Sequence, residues 1–282
     1  MTAKRTQTAP GFHHAVVSCA IATVIGCAPK LAATNPDVAW TTADAAEGRQ
    51  LFLAVCAACH GERGDGNSMA ANVLFPRPRD LTAGEYRFRS TASGLIPLRS
   101  DILRTIARGL PGTAMPSWQE QLTWRQMMSI VLYLEELSPR FHDEDYAPEE
   151  DDILVRWDQI EAPPRSPELI ARGREVYTQM KCADCHGDQG QGNGPSAATL
   201  EDADGRRSDV FDFSYGIYKG GHAPADVYRT FMTGLDGTPM PSFADALPEK
   251  QDRWALVYYC LSLTKKRGAW FYLTERPTWE EH

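Results

Sequence analysis

Two stretches of this chain place a pair of thiols and an imidazole at one fixed spacing: Cys56-Ala57-Ala58-Cys59-His60 and Cys182-Ala183-Asp184-Cys185-His186. Cysteines two residues apart suit dithiol exchange, half of a zinc site, or thioether bonds to the vinyl groups of a porphyrin. The histidine directly after the second cysteine, present in both copies, favours the last. Both thiols must reach the edge of one porphyrin while the ring nitrogen reaches its centre, and this spacing meets that need. The sequence therefore predicts two covalent c-type haems, with His60 and His186 as proximal iron ligands.

A haem with one histidine below it has an open upper face, and each motif is followed by a residue suited to fill it. Met115 stands in Gly109-Leu110-Pro111-Gly112-Thr113-Ala114-Met115-Pro116-Ser117, and Met240 in Gly234-Leu235-Asp236-Gly237-Thr238-Pro239-Met240-Pro241-Ser242. Glycine and proline hold each segment in an extended loop that helix and strand would not tolerate. A thioether is soft, suits iron(II), and as a Met/His pair raises the reduction potential. Met115 and Met240 are the expected second ligands, while Met69, Met127, Met128, Met180 and Met232 read as ordinary core methionines. His222 is the alternative ligand for the second haem; His142 and His282 read as surface side chains.

The repetition extends beyond the ligands. Gly48-Arg49 mirrors Gly173-Arg174, Gly61, Gly64, Gly66 and Asn67 mirror Gly187, Gly190, Gly192 and Asn193, and Asp101-Ile-Leu-Arg-Thr105 mirrors Asp226-Val-Tyr-Arg-Thr230. A period this long means two domains rather than a solenoid. On these motifs each half resembles a class I cytochrome c domain, and the chain resembles a tandem dihaem cytochrome c over roughly residues 44–265. The first half, with Pro76-Arg77-Pro78-Arg79-Asp80 and Phe88-Arg89-Ser90, is also similar to dihaem cytochromes associated with anaerobic respiratory oxidoreductases. The resemblance implies a mainly α fold, two helical domains each around a covalently bound haem c, and electron transfer. It also implies that the closing helix of each half crosses the opening one with an aromatic at the crossing: Phe52 with Tyr133, and Tyr177 with Tyr259.

The elements that would position these groups are legible from periodicity. Glu47–Ala58 has helical spacing with Asp44 as N-cap, and Ser166–Cys182 repeats it with Ser166-Pro167 as the entry. Ser100–Arg108 and Ala225–Thr233 lead to the two Met loops, and Trp124–Leu137 and Lys250–Leu263 close the halves. Short ribbons are expected near Tyr86–Arg89 and Phe211–Tyr218. Seven arginines fall between Arg77 and Arg108. Arginine forks match carboxylates, so some are expected on haem propionates, with Arg104 and Arg229, at one repeat position, as the pair chosen. The second half is poorer in arginine, which predicts a differently tuned haem.

The 282 residues allow two ordinary domains, and four of the seven cysteines are haem thiols. Cys260 reads as a buried helix cysteine. Lys4 and Arg5 ahead of an apolar stretch, Ala15–Gly26, read as an export signal, too short for a confident membrane span. Val24-Ile25-Gly26-Cys27 resembles a bacterial lipobox, so lipidation of Cys27 is expected, and Ala28 after it is similar to lipoproteins of the outer membrane. The expected organisation is a signal peptide (1–26), a tether (27–43), a first domain (44–139), an exposed acidic linker with prolines (140–166), a second domain (167–265) and an aromatic tail (266–282). The net charge of −8 gives no reason to bind nucleic acid.

These readings combine into an exported electron carrier, not an enzyme, in a bacterial respiratory chain. It would be held at the periplasmic membrane or cell envelope by its lipid. Its partners would be redox proteins: a quinol-oxidising complex, a periplasmic oxidoreductase, a terminal reductase or another cytochrome. A dihaem enzyme such as a peroxidase, or a haem subunit of a membrane-associated oxidoreductase complex, is the alternative. A peroxidase would need one open haem face, which two Met loops oppose.

Overall fold

The computed structural model describes residues 40–265. The export signal, Cys27 with its lipobox, and the aromatic tail lie outside the described residues. In the first half, α1 (Ala45–Leu51) begins where the Asp44 carboxylate accepts hydrogen bonds from the Ala46 and Glu47 amides, filling part of the gap a helix start leaves. The chain widens into a single π turn, Phe52–Cys56, before α2 (Ala57–His60). Next come α3 (Arg99–Arg108) and α4 (Trp124–Leu137), the latter opened by a reciprocal Thr123–Gln126 capping box.

The second half repeats the order. The helix α5 (Pro167–Gln179) has Ser166 accepting from the Leu169 amide and Pro167 in its first turn, and α6 (Ala183–His186), α7 (Pro224–Thr233) and α8 (Lys250–Ser262) follow. The second copy has one more residue between its crossing aromatic and its first thiol. It absorbs that residue at Lys181, whose φ of 55° is unusual for a side-chain-bearing residue. Two local solutions thus deliver the same motif.

In each half the opening helix packs against the closing one, α1 on α4 and α5 on α8. The crossings explain the repeated glycines. A methyl group on Gly48 would lie 1.9 Å from the Ser129 carbonyl oxygen, and one on Gly173 would lie 2.0 Å from that of Ala255. Phe52 meets Tyr133 with ring centroids 5.4 Å apart, and Tyr177 meets Tyr259 at 5.2 Å, as expected. Around these pairs sit two apolar cores, one containing Ile102, Met127 and Val131, the other Val176, Phe231, Trp254 and Cys260.

Four expectations are corrected. The ribbons near Tyr86–Arg89 and Phe211–Tyr218 do not form: among the described residues only isolated bridges occur, Thr91 with Ile153 and Glu201 with Arg207. Met69 is not a core residue but is 90 % exposed. The helix from Ser166 ends at Gln179, short of Cys182. The linker is not exposed throughout: it is exposed along its acidic run and again over most of 158–165. Between the two, Val155 is buried in the second core, and the Trp157 indole N–H donates to Ser90 Oγ of the first half at 2.9 Å. This segment is packed because it carries large apolar side chains among its acids, and burying them outweighs exposure.

The halves meet along a polar seam. Arg89, fully buried, pairs with Asp236 at 2.8 Å and donates to the Thr233 carbonyl at 2.8 Å. Ser93 Oγ and the Gly94 amide also donate to Asp236. Among the described residues no helix is long and apolar enough to cross a membrane.

Candidate functional site

Helix α2 ends at His60 because Gly61 follows with φ of 79°, and α6 ends at His186 because Gly187 follows with φ of 76°. At each glycine the backbone takes a conformation closed to other residues. It folds back so that the Gly66 amide donates to the His60 carbonyl and the Gly192 amide to that of His186, both at 2.9 Å. The imidazoles are oriented alike. His60 Nδ1 lies 3.2 Å from the Arg79 carbonyl oxygen, and His186 Nδ1 lies 3.1 Å from that of Phe211. A carbonyl only accepts, so Nδ1 carries the proton and Nε2 keeps its lone pair for a metal. Burial holds both imidazoles below their usual pKa, which keeps them neutral, as ligation requires.

None of the four motif thiols is in a disulfide. Burial, then the neighbouring Cys59, pushes Cys56 up to about 11, and burial pushes Cys182 up to about 12. These are apolar, weakly ionised thiols, unlike the low-pKa thiolates of dithiol redox sites. Among the described residues no group of three His, Cys, Asp or Glu side chains could hold a bare metal ion, so the zinc reading lacks a ligand set.

The Met loops are built identically. Each leaves its helix at a positive-φ glycine, Gly109 or Gly234. A methyl group there would come within 2.4 Å of Pro116 or 2.6 Å of Pro241. Thr113 Oγ1 donates to the Leu110 carbonyl at 2.8 Å and accepts from the Met115 amide at 3.1 Å. Thr238 does the same with Leu235 and Met240 at 2.7 and 3.2 Å. Ser117 and Ser242 tie the loops back to the Ala107 and Met232 carbonyls at 2.7 and 2.6 Å. The Gly-Thr-x-Met-Pro-Ser repeat is therefore a clamp on the methionine. Its threonine and serine were visible as a repeat but not as hydrogen-bond partners.

Both sets converge. Cys56, Cys59, His60 and Met115 line the same continuous cavity as Cys182, Cys185, His186 and Met240, with a volume of about 1200 Å³. That exceeds the ~300–1,000 Å³ usual for one small-molecule site. Its wall is mainly apolar but carries buried polar atoms without hydrogen-bond partners: Tyr86 Oη, Arg87 Nε and Trp118 Nε1. Arg79 is also on the wall, its pKa lowered by burial. An apolar cleft with thiols, paired imidazole and thioether, and orphan donors fits a planar macrocycle bearing carboxylates.

Arg104 and Arg229 are not on that wall. Helices α3 and α7 turn them to the seam, where both guanidiniums stack on Trp157, at 3.7 and 5.3 Å from its ring centroid. Arg229 also donates to the Gly220 carbonyl at 2.8 Å. Their shared repeat position reflects a shared grip on the connecting segment. The arginines lining the cavity are Arg77, Arg79 and Arg87 from the first half and Arg206 and Arg207 from the second. His222 lies outside the cavity as well.

Residues 43–134 match the family described as cytochrome C oxidase, cbb3-type, subunit III, and residues 170–264 match the family described as cytochrome c. A solved chain from the Kuenenia stuttgartiensis reducing HAO-like protein complex is similar at 39 % identity, over 79 % of this chain and 98 % of that one, with a TM-score of 0.72. The chain belongs to the cytochrome c family. No curated protein sequence matches it. Its two domains stand in tandem, it is mainly helical, and as a cytochrome c it is a haem electron-transfer protein. In this tandem cytochrome the two Cys-x-x-Cys-His motifs and the two Met loops line one continuous cavity rather than two separate ones.

Proposed function

We propose that this cytochrome holds two haems c, one through Cys56, Cys59, His60 and Met115, the other through Cys182, Cys185, His186 and Met240, and relays electrons between redox proteins. The carrying observation is that two matched ligand sets, oriented by equivalent hydrogen bonds, line one cavity. A bound haem supplies reversible one-electron chemistry. The chain's own residues do the rest. The thiols fix the macrocycle's edge. The Nδ1 protons, held by backbone carbonyls, fix which imidazole nitrogen faces inward. The threonine clamps hold the thioethers in place, so little moves when charge changes. Tyr86, Arg87 and Trp118 offer donors to carboxylates, and the apolar wall excludes water. The exported, Cys27-anchored reading, a place in the periplasm and in a respiratory chain, and a carrier rather than an enzymatic role belong to the same proposal. They are supported by the export-type N-terminal sequence and by both upper faces having a methionine to fill them.

A subunit role is favoured by one finding. The similar solved chain comes from a reducing HAO-like protein complex. A redox-enzyme partner of that class would receive or supply the electrons. Co-purification from native membranes separates subunit from free carrier.

The first test is a carbon monoxide difference spectrum of the dithionite-reduced protein. The proposal expects two haems per chain by mass and no carbon monoxide shift. Ready binding at either haem would overturn the axial assignment and favour an enzyme.

A further inference from the structure

Beside the large cavity lies a second one, of about 310 Å³, built across the seam. The first half contributes Arg104 and Arg108 from α3, and the second contributes Lys219, Asp226 and Arg229. Asp226 is the only carboxylate on this wall. It is already shared by Arg108, at 3.3 Å, and Arg104, at 3.9 Å. Asp101, the other nearby carboxylate, accepts from the Ser90 amide and hydroxyl and from the Leu98 amide, and its charge also acts on Arg104 and Arg229. Three guanidiniums, Arg104, Arg108 and Arg229, thus share two carboxylates. Arg229 is 2 % exposed, and its Nε is buried with no hydrogen-bond partner.

The geometry points to a binding site for a small inorganic oxyanion of the phosphate type, held between the two halves by Arg104, Arg108 and Arg229. Guanidinium forks suit such an ion, and the volume admits one with a few waters, each occupying ~30 Å³. The strain that the ion would relieve is visible in Arg104. Burial first, then the charges of Arg108 and Arg229, hold its pKa down to about 10. Because the ligating groups come from both halves, the ion acts as a clasp on the seam. The same anionic-oxygen chemistry has a second source, a haem propionate, since Phe88, Lys219 and Gly220 line both cavities. A free ion is the occupant inferred here, because three guanidiniums against two carboxylates leave an excess of positive charge at the smaller pocket.

The test is calorimetric titration of the haem-loaded full chain with inorganic phosphate, at ionic strength held constant with chloride. Haem content is read from absorbance of the same samples, so loss of haem is not mistaken for loss of the site. One saturable site per chain is expected, weakened at least about tenfold in Arg108→Gln and in Arg229→Gln, and unchanged in the exposed control Arg63→Gln. Phosphate should also raise the melting temperature of the wild type and not of Arg108→Gln. Arg108 is 37 % exposed, so its variant keeps the test open if Arg229→Gln fails to fold. Absence of saturable binding, or equal binding by Arg108→Gln, overturns the site. So does a wild type that takes no phosphate while Arg108→Gln shifts a haem potential, since that result assigns the pocket to a propionate.

Discussion

At the scale of single residues, repeated positions divide between seam and cavity. Arg104 and Arg229 share a repeat position and both serve the seam, whereas Arg87 and its repeat counterpart Lys219 both line the large cavity. Burial, then Arg79, holds Arg87 down to about 10, so it remains charged at neutral pH. A buried positive charge disfavours the oxidised iron centre. Arg87→Gln should therefore lower the potential of one haem by tens of millivolts, on the order of 1 kcal/mol, and leave the other nearly fixed. A spectroelectrochemical titration reads both, and equal shifts would place Arg87 between the haems rather than at one. Met115→Ala and Met240→Ala should each convert half of the haem to a carbon monoxide-binding form.

At the scale of elements, the helix crossings are set by contact distance. Gly48 and Gly173 have no room for a methyl group against the facing carbonyls. Alanine raises helix propensity by roughly 1 kcal/mol over glycine, yet overpacking a tight contact costs ~1–3 kcal/mol. Gly173→Ala should therefore destabilise the haem-loaded protein by up to about 2 kcal/mol in denaturant unfolding. A stabilised variant would mean that α5 and α8 can separate freely. Helix positions, caps and crossing aromatics were readable from period and capping residues. The reason for the glycines was not, because it resides in a carbonyl far away in sequence.

At the scale of the whole molecule, the question is whether two domains behave as one. The large cavity is lined from both halves, and Arg89 is buried with partners in each: Ala92 and Tyr86 carbonyls on one side, Thr233 and Asp236 on the other. Removing one partner of a buried pair costs ~3–5 kcal/mol because a charge is left unmatched. Arg89→Met should split a single calorimetric unfolding transition into two, with both haems retained. A single transition at the wild-type temperature would show that the halves are held by the connecting segment alone. That segment, from Val155 to Ile160, is itself part of the packing and not a free tether.

The sequence by itself determined the chemistry that is local along the chain. Thiol spacing, the adjacent histidine and the repeated Met loops are neighbours along the chain whose geometry is set within a few residues, so the two repeated motifs and the presence of two domains could be read directly. Helix starts and stops were legible for the same reason. Only the tertiary structure decided the joining of the two motifs and Met loops in one cavity, the placing of Arg104 and Arg229 on Trp157, the burial of Arg89, and the arginine-lined cavity at the seam. Each depends on side chains brought together from distant parts of the chain, where burial and charge balance, rather than spacing, select the partner.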